Sequence, residues 1–411
     1  MKFSLTFRSI LNRKTAFLLS VFSVAISVVL LLGIDRVIKG GKNHFLNTIN
    51  GTDLIVAAPN GSLDILLNLV FHIGDGLKEI DYSSYEDISK LDEVAWSVPL
   101  ALGDSFKEYD IVATNNDYFR YYKYGSGKSL EFYKGTDFRD FFDLIIGYNV
   151  AKKYNLRYAD TVYVSHSSAS SSEHEEHANR PFRISGILKY SGTPNDDLVF
   201  MNLKTDEAIH VEWQSGHFVD MGISNEKLSQ LYLKPKHLSG MMVGLKNSMQ
   251  TLEMQQRIDN YKWAHLKAVI PAEAMSKLYR ILVSFQDILM FISGVVFVAA
   301  MLTMLSSMFS TLNERRREIA ILRSLGASAN IIFGLFTTES FIIVTSGIVL
   351  GNIILIGSII YLKATLSISI FPNLYELSLL GMMIIAALIA SVIPALWSYK
   401  HSLQDGLTLK R

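Results

Sequence analysis

NERRREIAILRSLGAS, residues 313–328, interrupts the most apolar part of the chain. Before it runs VVFVAAMLTMLSSMF and after it IIFGLF, yet the stretch between carries four arginines and mostly helix-forming residues. Asn313 can cap a first turn and Glu314 complements the helix dipole there. Ile319, Leu322 and Leu325 recur every three residues, which places them on one narrow face, and Gly326 can close the helix in a left-handed cap. The spacing therefore predicts a short amphipathic helix between two membrane spans. A positive-inside topology signal accounts for the arginines alone; it leaves the apolar stripe and the glycine stop unexplained. Such a helix suits a groove on a cytoplasmic partner.

Working outward, four segments reach the ~20 apolar residues that a bilayer requires. They are Ala16–Ile34, Ile288–Leu312, Ile331–Leu362 and Leu377–Trp397. Lys2, Arg8, Arg13 and Lys14 precede the first, whose apolar core exceeds a signal-peptide core of roughly 7–15 residues, and no small-residue cleavage site follows before Asp35. It reads as a retained anchor. Lysines and arginines at the amino end, at Arg315, Arg316, Arg317 and Arg323, and at Lys400, Lys410 and Arg411 all assign their segments to the cytoplasm. The polar stretch from Asp35 to about Arg280 is then outside, with the short turn around Pro372.

Composition agrees with an anchor plus a sizeable soluble domain: 49% of the 411 residues are hydrophobic and 19% charged. A net charge of +1 gives no field that would attract nucleic acid. The chain has no cysteine, which excludes disulfides, thiolate metal sites and cysteine nucleophiles. Between the first two spans, DLIVAAP, VAWSVPLAL, YDIVAT, DTVYVS, FRISGILKY, DLVFMN and GMMVGLK read as strands. SSYEDISKL, with Ser83 or Ser84 as cap, and NSMQTLEMQQRIDNYK read as helices. From Pro271 the run PAEAMSKLYRILVSFQDILMF enters the second span with no breaker, which predicts a continuous stalk helix. The expected fold class is a membrane protein with four transmembrane α-helices and a large extracytoplasmic α+β domain inserted between the first and second spans. Its segments are 1–34 (amphipathic helix and first span), 35–280 (outer domain), 281–312 (stalk and second span), 313–329 (cytoplasmic helix), 330–362 (third span), 363–376 (outer turn), 377–398 (fourth span) and 399–411 (tail).

REIAILRSLGAS resembles the coupling segment of the MacB/FtsX-like ABC permeases, in which a helix after the second span docks on the ATPase. The likeness extends along the chain. LTFRSILNRKTAFLLSVFSVAISVVLLLGI resembles the family's opening helix and first span. TDLIVAAP, YDIVATNNDYFRYY, DLIIGYNVAKKYNLRYADTVYV and FRISGILKYSGTPNDDLVFMNL resemble the MacB-like periplasmic core. TTESFIIVTSGIVLGNIILIGS is similar to the third span and PALWSYKHSLQDGL to the closing sequence. The resemblance implies a permease dimer, homomeric or with a paralogue, in the bacterial inner membrane with both termini cytoplasmic. Two copies of a separate ABC ATPase would pair with it and carry the ATP and Mg²⁺. Arg315, Arg316, Arg317, Glu318, Ile319, Leu322, Arg323, Leu325 and Gly326 would be the docking residues, and 271–312 the lever. A periplasmic adaptor or substrate protein and membrane lipid are the further partners implied. The leading expectation is a non-catalytic mechanotransmission subunit that drives export or extraction of a substrate outside the membrane. The alternative is an FtsX-like regulator that switches an external cell-wall enzyme.

Three features need separate readings. GSGKS at 125–129 lacks the first glycine of a phosphate loop, because Tyr122 occupies that position, and reads as an exposed turn. SHSSASSSEHEEHANRP, 165–181, fails the zinc-protease spacing at Ala178. Two readings of it stay open: a solvated hairpin tip, or a Zn²⁺ contact through His166, His174 and His177 that would link the complex to metal homeostasis. In the third span, Glu339 is expected to be structural, hydrated or paired with an arginine near the coupling helix. Gly347, Gly351 and Gly357 permit close helix packing and fit an intersubunit contact, or else face lipid.

Overall fold

The computed structural model describes residues 14–46, 48–74, 76–166, 181–211, 213–214, 217–218, 234–324, 328–362 and 372–405. The chain divides into two units, Met1–Gly41 with Ile281–Arg411, and Lys42–Arg280. The opening amphipathic segment expected before Lys14 lies outside the described residues.

The first unit is built on four long helices: α1 (Lys14–Leu46), α2 (Pro271–Ser324), α3 (Ala329–Leu362) and α4 (Leu374–Asp405). All four are long and apolar enough to cross a membrane. Each turns one stripe inward. Val21, Val24, Val28 and Leu32 of α1, at helical spacing, pack with Met301, Met304 and Met308 of α2, Val344 of α3 and Ala387 of α4. The opposite faces leave Phe22, Phe291, Val295, Ile353 and Ile385 exposed, as helices solvated by lipid require.

Two boundaries differ from the sequence reading. Helix α1 runs on to Leu46 rather than ending near Ile34, since IDRVIKGGKNHFL contains no proline. Helix α2 runs unbroken for 54 residues from Pro271 to Ser324. Asn313 therefore lies inside a helix and not at its start: no glycine or proline separates Phe309 from Arg315, so the helix simply continues. The expected separate coupling helix is the last turns of this one. The outer turn ends at Asn373, whose side chain accepts the Glu376 amide at 2.9 Å and so opens α4; residues 363–371 are outside the description.

The second unit is a mixed sheet covered on both faces. Its principal strands are β1 (Leu54–Ala57), β2 (Val94–Phe106), β3 (Tyr109–Thr114), β4 (Phe132–Gly135), β5 (Asp143–Ile146), β6 (Phe182–Leu188), β7 (Val199–Asn202), β8 (Gly240–Leu245) and β9 (Lys267–Val269). Their order is β9-β1-β8-β2-β3-β7-β5-β6-β4, with β3–β7 and β5–β6 parallel. Alternate residues divide between two cores. Leu54 and Val56 face one with Leu144, Ile184 and Met241, whereas Ile55 and Ala57 face the other with Leu66, Phe200 and Met242. Burial on both sides explains why LIVA, DLII and GMMVGL read as continuous apolar runs instead of alternating. All seven strands named from the sequence contain strand. The helix in SSYEDISKL starts at Tyr82 with Asp81 at its cap, so Ser83 and Ser84 lie inside it. The helix Ser62–Phe71 and strands β4, β5 and β9 are not among the elements named from the sequence and emerge in the structure.

Candidate functional site

The docking residues named from the sequence fall on the end of α2. Arg315, Arg316, Arg317, Glu318, Ile319, Leu322 and Arg323 occupy its final turns, where a 3.6-residue period puts positions 319 and 322 on one face. Leu325 and Gly326 lie outside the described residues. Nearly two turns before this segment, Phe309 packs into a small cluster with Phe333 and the buried Phe336 of α3 and Ala395 of α4. Its ring meets Trp397 edge-on, centroids 6.0 Å apart. The end of α2 is thus fastened to both following helices by aromatic contacts.

Gly347 and Gly351 of α3 make the close helix packing expected of them, but against α1 of the same chain instead of another subunit. A Cβ on Gly347 would sit 2.6 Å from the Val24 Cβ and 3.0 Å from the Val21 carbonyl oxygen. On Gly351 it would sit 2.8 Å from both the Ala25 carbonyl oxygen and the Val28 Cβ. Both therefore seat α1 against α3 within one chain, backbone on backbone, and leave no space there for another subunit. A Cβ on Gly357 would meet nothing within 4 Å. Glu339 is buried in α3, beside Ser340, whose hydroxyl reaches the Met308 sulfur at 3.7 Å.

A second polar constellation was not singled out from the sequence. Arg36, late in α1, and Glu376, in the first turn of α4, form a doubly contacted pair. The guanidinium Nη2 donates to Glu376 Oε2 at 2.7 Å and Nε to each carboxylate oxygen at 3.1 Å. Asp35 beside it accepts from Lys39 Nζ at 2.6 Å and from Gln286 Nε2 of α2 at 3.4 Å. An ionisable residue at the end of an apolar run is the available sequence signal; its partner 340 positions away is not.

In the second unit, the two strands that adjoin the spanning helices pair with each other. β1 follows α1 and β9 precedes α2; they run antiparallel with Ile55 opposite Val269. The Tyr122 hydroxyl donates to the Thr48 carbonyl, and Asn50 donates its amide to the Lys123 carbonyl at 2.8 Å, which ties the chain leaving α1 into the core. Burial pushes the Tyr122 phenol up. GSGKS is the hairpin turn between Lys123–Tyr124 and Lys128–Ser129, with Gly125 and Gly127 at positive φ, and so no phosphate cradle.

The histidine-rich segment gives no described centre. His166 lies opposite Asp104 in the sheet register, while His174 and His177 lie outside the described residues. Among the described residues no group of three His, Cys, Asp or Glu side chains could hold a metal ion.

Four membrane-length helices with an α+β domain inserted after the first define a multi-pass membrane protein. The profile of the MacB-like periplasmic core domain matches residues 17–261, more than half of the chain, and that of the FtsX-like permease C-terminal region matches residues 290–403. The chain belongs to the MacB/FtsX-like family of ABC permeases, in which ATPase activity sits on a cytoplasmic partner. Among solved structures it is similar to the periplasmic region of MacB from Actinobacillus actinomycetemcomitans, at 10% identity and a TM-score of 0.34, covering 56% of this chain and 94% of that one. It is also similar to the extracellular domain of the noncanonic ABC-type transporter YknZ from Gram-positive bacteria, at 13% identity and a TM-score of 0.30, covering 54% and 99%. No curated protein matches in sequence.

Proposed function

We propose that this chain is the transmembrane subunit that carries the ATP-driven motion of a separate ABC ATPase to its inserted domain, where a substrate is exported or extracted. The ATPase binds the final turns of α2, around Arg315–Arg317, Ile319 and Leu322, and holds the ATP and Mg²⁺. The observation that carries this reading is the continuity of α2. One helix joins the docking segment to strand β9 without a break, and β9 pairs with the strand that follows α1. Displacement at the docking end is delivered to two neighbouring strands, because a helix transmits load along its axis and a hydrogen-bonded strand pair moves as one. The aromatic contacts of Phe309 carry the same displacement into α3 and α4.

The working assembly contains two permease copies, or one with a paralogue, two ATPases and an external adaptor or substrate protein. It sits in the bacterial inner membrane with both termini in the cytoplasm, as the arginine and lysine distribution supports. The match over a MacB-like core favours a transport or extraction role over switching of a cell-wall enzyme.

The test is purification of the tagged chain in mild detergent from its own host, beside a chain carrying Arg317→Glu and Leu322→Asp. An ATPase with its phosphate-loop sequence should accompany the first and be lost from the second. Its absence from both preparations would overturn the coupling role.

A further inference from the structure

The pair between Arg36 and Glu376 is required by neither the topology nor the docking segment. Its side chains are 4% and 2% exposed, so both charges are removed from solvent. Removing two ions from water costs several kcal/mol each, and their attraction roughly offsets that cost; apolar residues of similar volume would hold the helices as well or better. Stability therefore does not account for the pair. What it supplies is discreteness. A buried charge is either fully partnered or must reach water, and intermediate separations are costly. A smooth sliding of α1 against α4 becomes a choice between two states.

The surrounding contacts connect this choice to α2. Asp35, 1% exposed and adjacent to Arg36, is held on one side by Lys39 of its own helix and on the other by Gln286 of α2. The Lys39 ammonium also lies 4.9 Å over the ring of Tyr375, the neighbour of Glu376. One polar layer thus joins α1, α2 and α4, and Gln286 brings α2 to it.

We propose that Arg36 and Glu376 form a positioning latch that holds the first and fourth spans together in one state of the cycle, and that displacement of α2, through Gln286 and Asp35, opens it. The cycle itself rests on the coupling function proposed above; the latch is a property of this chain.

The test uses the full chain in lipid nanodiscs. The absence of native cysteines allows clean spin labelling at Val37→Cys and Leu377→Cys, exposed positions next to the pair. Pulsed dipolar spectroscopy should give one short distance. With Glu376→Gln, a longer population should rise at least about threefold from the tenth or less that an intact pair allows. Arg36→Met and Glu376→Met together should instead keep the short distance, because apolar side chains hold the helices as well. The double methionine chain leaves no unpaired charge and guards against simple misfolding. Gln286→Leu should produce a smaller rise of the same kind. A single unchanged distance in the Glu376→Gln chain, or a longer population that appears equally in the double methionine chain, would overturn the latch, with or without a bound ATPase. Absence of an ATPase from both preparations in the purification above would instead overturn only the coupling role.

Discussion

Alanine at Gly347 and Gly351 offers the sharpest test of how the spans are packed. At an open helical site, glycine to alanine stabilises by roughly 0.5–1 kcal/mol through backbone entropy. Gly357, with nothing within 4 Å, should show that gain. At Gly347 the new methyl meets a stiff β-branched side chain at 2.6 Å and a carbonyl at 3.0 Å, and at Gly351 a carbonyl at 2.8 Å. Neither obstacle is a mobile side-chain end, so α1 and α3 must separate. Overpacking of this kind costs typically about 1–3 kcal/mol. After subtraction of the propensity gain, each single substitution should destabilise by about 0.5–2 kcal/mol. The double variant should lose less than the sum, because one separation relieves both contacts. The assay is thermal unfolding of the purified chain in one detergent, followed by tryptophan fluorescence over a range of protein concentrations. Gly347→Ala and Gly351→Ala should melt below the parent, Gly357→Ala at or above it, and the differences should not depend on concentration. If all three variants melt alike, or if the losses vanish on dilution, the packing of α1 on α3 within one chain is wrong and the glycines belong to an intersubunit contact.

Two further outcomes concern the inserted domain. His72 adopts a left-handed conformation at the end of the helix Ser62–Phe71, and its Nδ1 is sealed from solvent without a partner. Burial lowers its pKa from 6.5 to about 4. Its neutral form is thus favoured in the fold, while the unfolded chain takes up the proton near pH 6.5, so stability is complete above that pH and is lost as pH falls towards 4. The residue as a whole is only half-buried, which reduces the loss to on the order of 1–2 kcal/mol. His72→Asn, which tolerates the left-handed backbone, should flatten this part of the melting-temperature profile between pH 7 and 4.5; an unchanged profile would refute the assignment. Gly147→Ala places a methyl 2.4 Å from the carbonyl oxygens of both Asn195 and Asp196. It should cost about 3 kcal/mol or more, read as loss of folded protein by limited proteolysis, and a stable variant would contradict the close approach.

The sequence alone determined the spans, seven of the strand segments and the family, because each of these is written in local order. Apolar length specifies a span, β-type runs such as DLIVAAP specify strands, and REIAILRSLGAS sits in one contiguous stretch. It also gave the strandless continuity from Pro271 into the second span, since a helix continues wherever no breaker intervenes. The same rule extended that helix through Asn313, where arginine density and a capping residue had suggested a new start. Only the tertiary structure decided what the buried polar and small residues do. Gly347 and Gly351 are small for any close neighbour, and nothing local says whether that neighbour is α1 or another subunit. Arg36 and Glu376 each look like the flank of a span until the bundle brings them within 2.7 Å. The pairing of β1 with β9, on which delivery of motion to the sheet depends, joins residues more than 200 positions apart. Such contacts are set by how apolar faces share burial across the whole chain, and a linear pattern records which faces are apolar but not which ones meet.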